Sequence, residues 1–210
     1  MLPLERKVDP KHTALVVVDL QNDFCHSDGC LSRRGVDRSG MQAMVPKLIE
    51  FIGTAREHGV AIVFVRTTHS AWTDTDAWVE RRRFRHSPDI PICEEGSWGT
   101  KFYEVQPQPG DLIVTKHRYS AFHNTDLDMA MKARGIKTLL MTGGATNVCV
   151  ETTAREGFMH DFYIVMIDDL CSTSSAEAHQ GTLNNIRAHF GVVATAEEIA
   201  KIWATRVTGE

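Results

Sequence analysis

Three residues far apart in the chain, Asp19, Lys116 and Cys149, each follow an apolar run or a glycine-rich turn, and together they supply a base, a cation and a nucleophile. A thiol attacks a carbonyl carbon well only as its proton leaves, so a nearby carboxylate is a natural acceptor and an ammonium holds the two anionic partners together. Such a trio suits attack on a carbonyl group through a covalent thioester. Each residue alone has a commoner fate. An aspartate after a strand often opens a turn, a lysine snorkels to solvent, and most buried cysteines serve as small hydrophobes.

Their settings separate them from those fates. Asp19 closes Val16-Val17-Val18, and Lys116 closes Leu112-Ile113-Val114-Thr115. A charge at the end of a buried run must find a partner or change its pKa, and Asp19 is the natural anion for Lys116. Cys149 follows Thr142-Gly143-Gly144-Ala145-Thr146-Asn147-Val148 and precedes a helical pattern. The paired glycines permit a tight backbone path, and at or beside a helix N-terminus the N–H groups and the dipole favour a thiolate. Cys25, Cys93 and Cys171 are placed in loops, and these three with Cys30 read as structural thiols. Five scattered cysteines without a C-x-x-C pair suggest neither a disulfide framework nor a zinc knuckle.

The elements that must position these residues alternate along the chain. Apolar runs predict strands at 14–18, 60–65, 112–115, 138–142 and 163–167, with a weaker sixth at 191–194. Between them lie helical patterns at 44–58, 126–134, 150–159, 175–189 and 196–207. Leu48, Ile49, Ile52 and Ala55 form a core-facing stripe, and Gly59 and Gly135 stand where helices stop. The alternation predicts a three-layer α/β/α fold around a mostly parallel, six-stranded, Rossmann-like sheet, with ligands at the carboxyl ends of the strands. The segment 66–110 lacks strand periodicity and holds Pro88, Pro91, Gly96, Gly99, Pro107 and Pro109, which points to a lid, a binding loop or a subunit contact. Within it Arg81-Arg82-Arg83-Phe84-Arg85 reads as solvated surface, with a lid arginine or a subunit contact as the alternatives. His189, at the edge of the last strand, reads as a surface or core histidine.

The 210-residue chain is 42% hydrophobic and 24% charged, ordinary for one α/β domain over residues 1–210. A net charge of -4 gives no footprint for nucleic acid, and no apolar run reaches the roughly 18 residues of a membrane span. The start, Met1-Leu-Pro-Leu-Glu-Arg-Lys, lacks the apolar core of a signal peptide. A soluble cytoplasmic protein with no nucleic-acid or membrane partner is expected.

Taken in order, Val-Val-Val-Asp19-Leu-Gln-Asn22-Asp-Phe24, Lys116 at a strand end and Gly144-Ala-Thr-Asn-Val-Cys149-Val resemble the isochorismatase-like cysteine hydrolases over roughly residues 12 to 195. That superfamily includes nicotinamidases, N-carbamoylsarcosine amidases, biuret hydrolases and ureidoacrylate amidohydrolases. Gln106-Pro-Gln-Pro-Gly-Asp111, Lys116-His-Arg118-Tyr119-Ser-Ala-Phe122-His-Asn124-Thr125 and Ala145-Thr-Asn-Val-Cys149-Val-Glu151 look most like the ureidoacrylate branch. Ala121 stands where that branch carries glycine, and the loop after the second strand differs. Metal-binding nicotinamidases carry an Asp-Trp-His-Pro segment and a further histidine there, whereas Arg66-Thr-Thr-His69-Ser-Ala-Trp72 offers one histidine. The resemblance therefore implies no metal and no cofactor. True isochorismatases lack the cysteine nucleophile, so Cys149 argues against vinyl-ether hydrolysis.

The resemblance implies a triad of Asp19, Lys116 and Cys149, a cis peptide joining Gly144 to Ala145, and an oxyanion hole from the N–H groups of Ala145 and Cys149. Asn22, Phe24, Arg118, Tyr119 and Phe122 follow the catalytic positions closely enough to be candidate pocket walls, with Arg118 suited to a carboxylate or ureido oxygen. The expected partner is a small amide or ureido substrate, and a homo-oligomer, dimer or tetramer, is expected. The alternatives are a biuret, N-carbamoylsarcosine or nicotinamide-type amidase with the same triad, and a catalytically silent binding protein.

Overall fold

A computed structural model describes residues 2–81 and 91–207. Six strands, β1 (Thr13–Val18), β2 (Ala61–Thr67), β3 (Leu112–Lys116), β4 (Thr138–Gly144), β5 (Tyr163–Ser172) and β6 (Gly191–Ala194), form one sheet in the order β3-β2-β1-β4-β5-β6. Every pairing is parallel. The chain builds outward from β1 to β3, then returns to the other side of β1 with β4, so strand order reverses between β1 and β4. Crevices at such a reversal, beyond the carboxyl ends of the strands, are where ligands bind.

Alternation along β1 supplies both faces. Leu15 and Val17 join a core with the Ser39–Glu57 and Ala196–Val207 helices, while Ala14, Val16 and Val18 face the opposite core, where Leu127, Met131, Ala154 and Leu183 pack. The layers are helix, sheet and helix, as the alternating pattern predicts. Trp203 anchors the first face: it is fully buried, stacks on Phe51 with ring centroids 5.4 Å apart, and donates Nε1–H to the Val8 carbonyl at 2.8 Å.

The helix expected to begin at residue 44 begins at Ser39, because Met41 and Met44 extend the buried stripe upstream and Asp37 Oδ1 accepts the Ser39 N–H at 2.9 Å. Phe51 takes the place expected for Ile49, which is 40% exposed. Cys171 lies in β5 and not in a loop. Asp168 and Asp169 interrupt the apolar run, yet after this bulge Cys171 and Ser172 pair again with Gly143 and Gly144. Cys25 ends a short helix, Asn22–Cys25, and Cys30 begins another, Cys30–Arg33. Segment 66–110 contains the end of β2, a helical turn at Asp76–Glu80 and a 3-10 turn at Trp98–Thr100. Residues 82–85 of the arginine run fall outside the described residues, and His189 is exposed in the turn Ile186–Phe190.

Candidate active site

The sheet order brings three strand ends together. Asp19 follows β1 at the reversal with φ 53°, a left-handed conformation that aspartate tolerates better than most residues, and is 1% exposed. Lys116 ends β3, two strands away, also 1% exposed. Its Nζ donates to Asp19 Oδ2 at 2.8 Å and lies 3.5 Å from Cys149 Sγ. Thr67, which ends the intervening β2 in register with Lys116, fills the gap: Lys116 Nζ donates to its Oγ1 at 2.6 Å, and Oγ1 donates to Asp19 Oδ1 at 3.0 Å. Gln21 clamps Thr67 in turn, accepting its N–H at 2.6 Å and donating to its carbonyl at 2.9 Å. Thr67 and Gln21 were not singled out from sequence, although a polar residue ending β2 stands at the same sheet edge as Asp19 and Lys116.

Cys149 enters from β4. Gly143 has φ 104°, and a Cβ there would lie 2.1 Å from the Val18 carbonyl oxygen, so only glycine lets β4 run this close to β1. The Gly144–Ala145 peptide is cis. A π turn over Thr146–Val150 follows, closed by Val150 N–H to Ala145 O at 3.3 Å, before the Glu151–Met159 helix. Cys149 therefore sits inside a π turn, two residues before the Glu151–Met159 helix and so beside a helix N-terminus as its spacing predicts, and π turns often mark functional sites. Thr153 Oγ1 secures it by donating to the Cys149 carbonyl at 2.7 Å and accepting the Ala121 N–H at 3.0 Å.

The other four cysteines are buried, and Cys149 alone of the five is partly exposed. Yet its thiol is not the stabilised thiolate that a helix N-terminus would give. Burial pushes its pKa up, the Lys116 ammonium pulls it down and the Asp19 carboxylate pushes it up again, leaving it at about 12. For Lys116, burial acts downward, but the neighbouring Asp19 and Cys149 outweigh it and its pKa stands above the ordinary lysine value. The cluster thus sets Lys116 Nζ between the Asp19 carboxyl group and a thiol that holds its proton tightly.

Asp19, Lys116 and Cys149 lie in one cavity of about 900 Å³ including its mouth, which Gly144, Ala145 and Val148 also line. Of the candidate walls, Phe24, Arg118 and Tyr119 line it. Asn22 and Phe122 do not. Asn22 Nδ2 is occupied by the Trp98 carbonyl at 3.0 Å, and Phe122 is a core residue stacked on His160 with ring centroids 5.0 Å apart. The cavity gains walls from segment 66–110. Trp78 stacks beneath the Arg81 guanidinium at 3.4 Å and lies 4.9 Å from Tyr119, whose hydroxyl accepts from Arg81 Nε at 3.0 Å. Arg81 is thus a cavity residue, not solvated surface. Arg118 faces the same indole at 4.8 Å, and Arg34 and Arg38 also line the cavity. Arg38 is 6% exposed, hydrogen-bonds the carbonyls of Asp37 and Phe24, and has no carboxylate in ion-pair contact among the described residues.

His69 also lines the cavity, with Nδ1 2.8 Å from Asp74 Oδ1. Among the described residues no group of three His, Cys, Asp or Glu side chains is arranged to hold a metal ion, and no helix is long and apolar enough to cross a membrane.

The family profile described as the isochorismatase domain matches residues 13–198. The chain belongs to the isochorismatase family. This isochorismatase-family chain is 33% identical to ureidoacrylate amidohydrolase RutB of Enterobacter sp. (strain 638), over 90% of this chain and 88% of the relative. It is 34% identical to the protein of the same name from Stutzerimonas stutzeri, over 96% and 86%. Among solved structures, a cysteine hydrolase from Pseudomonas syringae pv. phaseolicola superposes with TM-score 0.84 at 26% identity, covering 95% of each chain. Pyrazinamidase of Pyrococcus horikoshii in complex with zinc superposes with TM-score 0.74 at 26% identity, over 88% of this chain and 99% of that one.

Proposed function

We infer that this isochorismatase-family protein is a hydrolase of carbon–nitrogen bonds other than peptide bonds, acting on a small amide, carbamoyl or ureido compound through a thioester on Cys149. The observation that carries the reading is the position of Lys116 Nζ, 2.8 Å from Asp19 Oδ2 and 3.5 Å from Cys149 Sγ, at the wall of an open cavity. A thiol with a pKa near 12 needs a base at the moment of attack, and Asp19 supplies it. As Sγ bonds to the carbonyl carbon, the thiol proton passes to Asp19 and the carbonyl oxygen takes up negative charge. The N–H groups of Ala145 and Cys149 receive that charge, each contributing roughly 3 kcal/mol. The C–N bond then breaks as Asp19 returns the proton to the departing nitrogen. Water, deprotonated by Asp19, cleaves the thioester and restores the thiol. No step draws on a cofactor.

A ureidoacrylate-like substrate suits the walls, and it is what the RutB relatives' name specifies for those proteins. Arg38, Arg81 and Arg118 bring positive charge to the cavity, which suits a carboxylate or ureido oxygen, and Tyr119 lines it beside them. This reading treats residues 1–210 as one domain in which Thr67, His69, Trp78, Arg81 and Ile92 wall part of the cavity. It also takes the protein as a homo-oligomer, dimer or tetramer. Trp72 and Met159, 97% and 76% exposed, supply apolar surface for subunit contact, and light scattering reports the mass directly.

Ammonia release from 3-ureidoacrylate, biuret, N-carbamoylsarcosine and nicotinamide tests the function. Turnover of at least one, abolished in Cys149→Ala, is expected. No release from any, with binding unaffected by Cys149→Ala, would favour a silent binding protein.

A further inference from the structure

A second polar chain stands behind the turn that carries Ala145. Thr146 is fully buried, and its Oγ1 lies 3.0 Å from Nδ1 of His179, whose Nε2 lies 2.8 Å from Oδ1 of Asp168. With Nε2 turned to the Asp168 carboxyl group, Nδ1 is left to pair with the Thr146 hydroxyl, so the ring ties Asp168 to Thr146. Two of the three members come from irregular backbone. Thr146 opens the π turn, and Asp168 sits in the β5 bulge, where the chain leaves the β4 register between Met166 and Cys171. His179 comes from the Ala176–Asn185 helix. The next residue of the turn is tied as well, because Thr173 Oγ1 donates to Asn147 Oδ1 at 2.9 Å. Bulges and π turns re-aim side chains beside functional sites, and here they deliver partners to the residue that follows Ala145. The thioester mechanism uses none of Asp168, His179 or Thr146.

We propose that Asp168, His179 and Thr146 are positioning residues that hold the Ala145 N–H toward the oxygen of the reacting carbonyl. The inference rests on Ala145 being an oxyanion donor. The peptide unit that joins Thr146 to Ala145 meets, at the Ala145 Cα, the Gly144–Ala145 unit that carries the donor, so a swing of an unanchored Thr146 turns the donor with it. None of the three has a hydrogen bond to Asp19, Lys116 or the Cys149 thiol among those the described residues make, so their loss should act on the charge formed during turnover and spare the nucleophile.

Three measurements on the full-length protein separate these roles: steady-state ammonia release, inhibition by an aldehyde analogue of the best amide substrate, and alkylation of Cys149 by iodoacetamide. The aldehyde adds the thiol across its carbonyl and places an oxygen on the same donors, whereas alkylation uses no oxyanion donor. His179→Ala and Thr146→Val should lower kcat about tenfold to a hundredfold, less than the 10²–10³-fold of losing a donor outright, and weaken the aldehyde by a similar factor. KM and the alkylation rate should stay within about twofold, and Thr146→Ser, which keeps the hydroxyl, should retain most of kcat. If His179→Ala does not fold, Asp168→Asn, at a partly exposed carboxylate, carries the same comparison. Unchanged kcat in these variants, or a parallel fall of kcat and alkylation, overturns the proposal. Failure of the underlying reading is distinct, because the unmodified protein would then release no ammonia or would release it without Cys149.

Discussion

Asp19→Asn should push two properties of Cys149 in opposite directions. Asparagine is nearly isosteric and accepts the left-handed backbone at φ 53°, so the substitution removes charge and proton-accepting ability with little change of shape. The thiol of the unmodified protein titrates near 12, in part because the Asp19 carboxylate faces it. A neighbouring charge moves a pKa by roughly one to three, so deleting this one lowers the midpoint by about that much and raises the thiolate fraction at pH 9 roughly tenfold to a thousandfold. Nucleophilicity falls as pKa falls, with a Brønsted slope of about 0.4–0.5, and cancels nearly half of that gain on a logarithmic scale. Iodoacetamide should therefore alkylate Cys149 of Asp19→Asn roughly 3 to 30 times faster than the unmodified protein at pH 9. Turnover should fall about 10²–10⁴-fold in the same sample, the usual contribution of a general base. The assay is peptide mapping of alkylated Cys149 over a pH series beside ammonia release. Alkylation and turnover falling together, or turnover surviving, would refute the assignment of Asp19 as base.

Three further outcomes follow from the same contacts. Thr67→Val removes the hydroxyl between Lys116 and Asp19 and should cost roughly tenfold in kcat, because it leaves both charges short of a buried partner; an unchanged kcat would reduce Thr67 to packing. Trp203→Ala should destabilise the protein by about 3–5 kcal/mol in urea titrations, as a fully buried aromatic stacked on Phe51 is lost; a cost below about 1 kcal/mol would contradict that packing. Activity should survive exhaustive chelation, since among the described residues the cavity offers one imidazole, His69, held by Asp74, and its carboxylate Asp19 is engaged by Lys116; a loss restored by zinc or manganese would contradict this.

The sheet was legible because its strands are nearly continuous apolar runs, and a residue closing such a run must sit at the sheet edge. That is why Asp19 and Lys116 could be named before any contact was known. What escaped came from tertiary contacts. Ser39 starts its helix because Met41 and Met44 reach the core, a stripe hidden upstream of the regular periodicity. Cys171 returns to β5 after a bulge that two aspartates make look like a strand end. Thr67 gains its role only because strand order sets β2 between β1 and β3, and order is not written in any one strand. Phe24 and Phe122 are alike as sequence, each an aromatic soon after a candidate catalytic position, yet one lines the cavity and the other the core. The environment of Cys149 was misjudged because spacing locates a helix start but not the burial of the thiol beside it, and burial dominates its pKa.

The most direct test is the identity of the covalent intermediate. The protein would be mixed with its best amide or ureido substrate, quenched in acid within one turnover and mapped by peptide mass spectrometry. The account predicts an acyl or carbamoyl adduct on Cys149 that forms and decays at rates matching turnover and is absent from Cys149→Ala. An adduct on Cys25 or Cys93, or full turnover by Cys149→Ala, would contradict it.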